Sequence, residues 1–197
     1  MEGTALRRAA EVIGRGGVVA YPTDTFYGLA VDPRNAEAVE RLFVVKGRDA
    51  DKASPLIASS LAQAAAAVEF TDLGRRLAER LWPGPLSLVL RAKDALSRDV
   101  LGRGDTAAIR VPRDEIARGL AAAVGYCITA TSANLSGYPP VSTPALIDAQ
   151  VRGRIDFILE GTSPGGAPST IVDVTGDLPR LVRAGAIAWD RVLESLQ

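Results

Sequence analysis

No histidine occurs among the 197 residues of this chain. Any chemistry it performs therefore runs without an imidazole general base, which favours charge stabilisation and positioning over proton relay. Cysteine is nearly as scarce. The single Cys127 excludes an intramolecular disulfide and any site of several thiolates on one metal. It lies in the apolar run Tyr126-Cys127-Ile128 and reads as a small buried hydrophobe. Net charge is zero and aromatic residues are 5% of the chain, which argues against an RNA-coating surface built on a basic stripe or on stacking rings. No apolar run approaches the ~20 residues of a membrane span. Lysine stands only at positions 46, 52 and 93, and two of these flank one loop.

What remains is 47% hydrophobic and 23% charged, with a mean hydropathy of +0.12, enough apolar material for one well-filled domain over residues 1–197. The N-terminal stretch MEGTALRRAAEVI (Met1 to Ile13) is amphipathic and lacks a continuous apolar core, so it predicts a helix rather than a signal peptide. A cytoplasmic protein is expected.

Helix and strand patterns alternate. Thr4 predicts a helix to about Arg15, closed by Gly16-Gly17. Short strands follow at Val18 to Tyr21 and Gly28 to Val31. Asn35 predicts the cap of a helix whose apolar positions Val39, Leu42, Phe43 and Val45 recur at helical spacing. Further strands are expected at Pro55 to Ala58, Leu86 to Ala92, Thr106 to Pro112, Cys127 to Thr131, Phe157 to Leu159, Ser169 to Val174 and Leu181-Val182. Helices are expected over 60–68, 72–82, 114–123, from Pro144 under a Thr143 cap, and at the C-terminus. This order predicts an α/β class with a mixed, twisted, open sheet flanked by helices.

Three segments carry chemistry. In YPTDTFYGL, the hydroxyls of Thr23 and Thr25 stand with Asp24 beside two rings, a pattern that fits a small polar pocket and equally fits a capped turn. In KGRDADK, Lys46 complements the negative end of a helix dipole, while Arg48 and Lys52 lie beyond it. Alone, that segment reads best as a solvated loop. In ATSANLSG, Thr131, Ser132, Asn134 and Ser136 follow a buried strand. Four such groups exceed what one turn needs, and the carboxyl end of strands is where open α/β sheets bind ligands. Arg110 and Arg183 sit inside apolar strand runs and need an anionic partner if buried.

In this order, YPTDTFYGLAVD, KGR with PLI, LWPGPLSLVL, AIRVP, TATSANLSG, STIVDVTG and LVRAGAI resemble the YrdC/YciO-like family, from about Gly16 to Trp189. The resemblance implies a single domain with a basic concave face. It implies L-threonylcarbamoyladenylate synthesis from L-threonine, bicarbonate or carbon dioxide, and ATP, with release of pyrophosphate. The product would feed N6-threonylcarbamoylation of adenosine 37 of tRNA through a downstream transferase complex. By the same resemblance, Lys46 and Arg48 would be catalytic and hold the ATP phosphates. Ser132, Asn134, Arg110, Ser169 and Arg183 would line the nucleotide site. Thr23, Tyr27 and Ser59 would face threonine, with Ser59 where many relatives carry histidine. Magnesium would be held by the triphosphate rather than by protein ligands. The chain ends where longer members continue into a further domain, and so resembles the short bacterial form. Three other readings remain open: a YciO-like paralogue with a different substrate, a double-stranded RNA or tRNA binding module, and a carbamoyl-transfer module of hydrogenase maturation. The last lacks the expected acylphosphatase segment and zinc-finger cysteine pairs. The loop 47–54 is a candidate lid.

Overall fold

A computed structural model describes residues 2–47 and 53–197. Arg48, Lys52 and most of the candidate lid lie outside the described residues.

The elements follow the sequence pattern closely. Helix α1 (Glu2–Gly14) leads into the antiparallel pair β1 (Val19–Tyr21) and β2 (Gly28–Ala30). Helix α2 (Ala36–Lys46) starts where the Asn35 side chain accepts from the Ala38 N–H. It stops at Gly47, whose φ of 57° and ψ of 43° place it in the left-handed region where glycine carries no side-chain penalty. Then come β3 (Leu56–Ile57), α3 (Leu61–Ala67) under a Ser60 cap, β4 (Val68–Glu69), α4 (Asp72–Leu81) under a Thr71 cap, and β5 (Leu86–Ala92). After β6 (Thr106–Arg110), Asp114 caps α5 (Glu115–Val124) by accepting from the Ala117 N–H.

Some local expectations need correction. Helix α1 already runs from Glu2, so Thr4 lies inside it rather than at its cap. The single buried strand expected at Cys127 to Thr131 is two short strands, β7 (Ile128–Thr129) and β8 (Thr131–Ser132). The chain changes partner at Ala130, whose N–H turns to the Pro55 carbonyl. The helix expected from Pro144 is only a 3-10 turn (Pro144–Leu146), because Thr143 makes no capping bond and Ile147 is extended. Helix α6 (Ala149–Arg152) begins afresh under Asp148, which accepts from the Gln150 N–H. The remaining elements are β9 (Phe157–Ile158), β10 (Thr170–Asp173), β11 (Arg180–Arg183) and α7 (Trp189–Glu194).

The strands form two mixed sheets rather than the one expected. Among the described residues, the smaller has the order β8-β2-β1-β9, and the larger runs β11-β10-β5-β6-β3-β7 with β4 added against β5. The partner change at Ala130 lets one backbone run serve both. β7 pairs antiparallel with β3 in the large sheet, and β8 pairs antiparallel with β2 in the small one. Thr129 strengthens the junction: its hydroxyl donates to the Leu29 carbonyl at 3.0 Å and accepts from the Val31 N–H at 3.0 Å.

Two apolar cores pack these layers. The larger gathers Val39, Leu42, Leu56, Leu77, Leu88, Leu90 and Ile109 with their neighbours. The smaller joins α1 and α5 over the strands through Ile13, Tyr21, Ile57, Leu120 and Ile128. Burial at about 25 cal/mol per Å² makes both cores the main driving force for the fold. The polar edges left between the two sheets form the cleft.

Candidate active-site cleft

The cleft encloses about 750 Å³ and takes its lining from both sheets. The small sheet gives Gly28, Thr131 and Ser132, with Thr23, Thr25 and Tyr27 from the β1–β2 connection. The large sheet gives Ser87, Arg110, Ile171 and Arg183, with Ser169 just ahead of β10.

Arg110 ends β6, and its side chain is only 7% exposed. Its Nη1 stands 2.8 Å from Asp24 Oδ1, an ion pair that is close without being aligned for a hydrogen bond. Its Nη2 donates longer bonds to Thr23 Oγ1 at 3.3 Å and Thr25 Oγ1 at 3.4 Å. The other oxygen of Asp24 accepts from the Arg113 N–H. Burying a guanidinium is costly without a counter-charge, and Asp24 supplies it.

Arg183 enters from β11 on the opposite side. Its Nε and Nη2 donate to the Ser169 carbonyl at 3.2 and 2.8 Å, and Nη2 also reaches Ser169 Oγ at 3.0 Å. This contact depends on a close backbone approach at Gly185, where a Cβ would fall 2.3 Å from the Pro168 carbonyl oxygen. No carboxylate among the described residues pairs with Arg183. Loss of hydration on its protein side, and then the like charge of Arg110, lower its pKa from the ordinary arginine value.

Ser87 and Ser169 share a hydrogen bond, Oγ to Oγ, at 3.1 Å. Two hydroxyls joined by one such bond retain one hydroxyl hydrogen between them. Ser169 already accepts from Arg183, so that hydrogen is offered beside a guanidinium. A neutral donor next to a cation is a receptor for an anionic oxygen.

Lys46 closes α2 and is 3% exposed. Its Nζ donates to the carbonyls of Ser132 at 2.5 Å and Asn134 at 2.9 Å, and its own carbonyl accepts from the Ser136 N–H. The Asn134 amide donates to the carbonyls of Leu135 and Tyr138. The helix end and the loop after β8 are thereby one rigid unit, with Ser132 presented to the cleft.

Of the residues expected at the site, the structure gathers Thr23, Tyr27, Arg110, Ser132, Ser169 and Arg183 around one cavity. Lys46 and Asn134 stand one step behind, bonded to the Ser132 loop. Tyr27 and Phe26 give the cleft its rings, while the Tyr27 hydroxyl is turned to the carbonyls of Leu159 and Gly161 and burial raises its pKa well above the tyrosine norm. Ser59 is not brought to the cleft lining: its N–H donates to Gln63 Oε1, and Gln63 in turn donates to the Ala121 carbonyl beside α5. Arg48 lies outside the described residues. The sequence reading passed over Ser87. Its signal was a hydroxyl within the apolar run LSLVL of β5, where it is 1% exposed.

Taken together, the two sheets and the paired arginines define an α/β protein with an anion-receiving cleft at strand ends. The sequence pattern of the Sua5/YciO/YrdC family, described as telomere recombination, matches residues 11–185. The chain belongs to that family. It is 38% identical over 191 residues to threonylcarbamoyl-AMP synthase of Pyrococcus abyssi, covering 95% of this chain and 56% of that protein. It therefore spans little more than half the length of that relative. It is also 38% identical over 168 residues to threonylcarbamoyl-AMP synthase of Thiobacillus denitrificans, covering 84% of this chain and 89% of that one. The crystal structure of P. abyssi Sua5 complexed with L-threonine superposes with a TM-score of 0.94 at 35% identity, over 100% of this chain and 58% of that one.

Proposed function

We propose that the chain is an L-threonylcarbamoyladenylate synthase. It joins L-threonine, bicarbonate and ATP into threonylcarbamoyl-AMP and releases pyrophosphate, as the names of its relatives suggest. One observation carries the reading most directly: Arg183 and Arg110 face one cleft among hydroxyls, and only Arg110 has a carboxylate partner among the described residues.

The chemistry fits such a cleft. The threonine amine attacks the bicarbonate carbon and water leaves, giving a carbamate, and a carbamate oxygen then attacks the α-phosphorus as pyrophosphate leaves. The obstacle is an anion approaching a polyanion. Fixed cations and oriented donors lower that barrier without an imidazole. Arg183, Ser169 and Ser132 are assigned to the phosphates, with Arg48 joining them. Lys46 and Asn134 hold the Ser132 loop in shape. Thr23 and the Tyr27 ring form the threonine side. The cleft presents hydroxyls, guanidiniums and carbonyls rather than carboxylates, and no group of three or more His, Cys, Asp or Glu placed to hold a metal ion stands among the described residues. Magnesium, if used, fits on triphosphate oxygens and water, where it offsets phosphate charge. The product is assigned to a downstream tRNA-modifying transferase.

The test is pyrophosphate release from ATP, with threonine and bicarbonate omitted in turn. Release that depends on both, with a threonylcarbamoyl-AMP product by mass spectrometry, is expected. Release indifferent to threonine sinks the assignment.

A further inference from the structure

The connection between β1 and β2 brings Thr23 and Thr25 to the cleft. Strand pairing fixes only its two ends, Tyr21 and Gly28. Within it, Thr23 Oγ1 donates to the Phe26 carbonyl at 2.8 Å and accepts from the Thr25 N–H at 3.1 Å. That turn shapes the connection without anchoring it. The anchor is the segment that follows β9. Ser163 stands 140 positions from Thr23, and its Oγ accepts from the Thr23 N–H at 3.0 Å. The Gly165 N–H donates to the Thr25 carbonyl at 2.8 Å, and the Tyr27 hydroxyl reaches the carbonyls of Leu159 and Gly161. Gly161 approaches so closely that a Cβ there would lie 2.9 Å from Pro22 Cγ. Ser163 is itself held, its N–H donating to the Ser142 carbonyl at 2.8 Å.

Residues 159–165 thus form a clasp on the connection. Ser163 supplies the clasp bond that comes from a clasp side chain, since the others use clasp backbone. Thr23 and Ser163 are 2% and 6% exposed, so an N–H deprived of Ser163 Oγ is deprived of water as well. Ser163 does not line the cleft. It acts through Thr23, which with Thr25 stands against Arg110 on the threonine side. The phosphate side is fastened separately, by Ser169 to Ser87 and Arg183. Two glycines of positive φ, Gly165 at 73° and Gly166 at 87°, lie between Ser163 and Ser169. A shift at Thr23 is therefore felt on the amino-acid side and not on the phosphate side.

We propose that Ser163 is a positioning residue for the amino-acid substrate: its buried hydroxyl fixes the Thr23–Thr25 connection, and with it the affinity for threonine, without touching either substrate. The inference rests on the synthase reading for its ligand, and the two titrations below separate the two.

The experiment is calorimetry on the whole chain. A non-hydrolysable ATP analogue is titrated first, then L-threonine into protein saturated with the analogue. Wild type is compared with Ser163→Ala, Ser163→Cys and Asn35→Ala, the last a helix-cap variant outside the cleft. Ser163→Ala should weaken threonine binding about tenfold and leave the analogue within about twofold of wild type. Ser163→Cys, with a weakly accepting sulfur, should fall between them. In turnover, KM for threonine should rise while KM for ATP stays. Hydrogen exchange over residues 22–27 should quicken in Ser163→Ala. Asn35→Ala should leave both affinities unchanged, so that lost stability alone does not move threonine. Equal weakening of both ligands, an unchanged threonine affinity, unchanged exchange over 22–27, or a like loss of threonine in Asn35→Ala overturns the inference. If Ser163→Ala does not fold, Ser163→Cys decides by the same ratio of affinities. Wild type that binds the analogue but no threonine sinks the synthase reading and the inference with it. Threonine-dependent turnover in wild type, with no change in Ser163→Ala, sinks the inference alone.

Discussion

At the scale of single residues, the two serines beside Arg183 make the sharpest case. Ser87→Ala removes one hydroxyl from the Ser87–Ser169 pair and adds no bulk. Binding of a non-hydrolysable ATP analogue should weaken about twentyfold, with thermal stability nearly unchanged, as for loss of one hydrogen bond to a charged group. Arg183→Met should lower kcat/KM about a hundredfold, the typical cost of one preorganised charge-stabilising donor. Steady-state kinetics on both variants check this. Lys46→Met is different in kind. It leaves the Ser132 and Asn134 carbonyls without a buried donor. It should cost about 2 kcal/mol of stability in urea unfolding as well as turnover.

These residues were unequally legible in the sequence. Arg110 and Arg183 stood out because a guanidinium in an apolar strand needs an anionic partner if buried; Arg110 is buried beside Asp24, whereas Arg183 is exposed. Ser132 stood out because hydroxyls crowd the end of a strand. The direction of the Lys46 side chain was not legible. A lysine at a helix end points to solvent unless carbonyls from a distant loop arrive to receive it, and residues 132–134 come from 86 positions further along. The placement of Ser59 was not legible either: its backbone N–H is held by the Gln63 side chain, which also donates to the Ala121 carbonyl at the end of α5.

At the scale of elements, local signals were read well because they act locally. Asn35, Ser60, Thr71 and Asp114 all accept from a backbone N–H three residues on, as capping side chains should. Asn35→Ala should destabilise the fold by about 1 kcal/mol without changing ATP affinity. Chemical denaturation beside calorimetry separates the two effects. Thr143 shows the limit of such signals. Its hydroxyl stands in the right place of the sequence, yet Asp148 is the residue that caps. Partition of the strands between two sheets was not legible either. It depends on pairings such as β2 with β8, about a hundred residues apart, and strand periodicity carries no information about the partner.

At the scale of the molecule, the missing histidine has a measurable effect. No side chain with an ordinary pKa near 6.5 is present, and burial pushes the Cys127 thiol up to about 12. The urea midpoint should therefore be flat between about pH 5.5 and 7. Acid behaves differently. Burial disfavours the charged forms of Asp32, Asp156 and Asp173, but hydrogen bonds from Arg34, from Arg41 with the Val18 N–H, and from Thr175 with Arg180 outweigh it and hold these carboxyls below the usual aspartate value. A folded pKa below the unfolded one gives stability that is present above the unfolded value and is lost as pH falls through the folded value. The midpoint should therefore drop below about pH 4. Asp114, raised by burial, runs the opposite way and softens the loss.

The run Ile128 to Ser132 has a wider consequence. One stretch of backbone is a structural member of both sheets, and the cleft is the gap between them. Neither wall can peel away without dragging the other. A nucleotide lodged there would act as a mortar joint, and its binding energy would appear as resistance of the entire chain to unfolding. At a hundredfold excess over Kd, this amounts to about 2.7 kcal/mol. Melting curves taken with increasing ATP should then rise as a single transition, with both sheets yielding together.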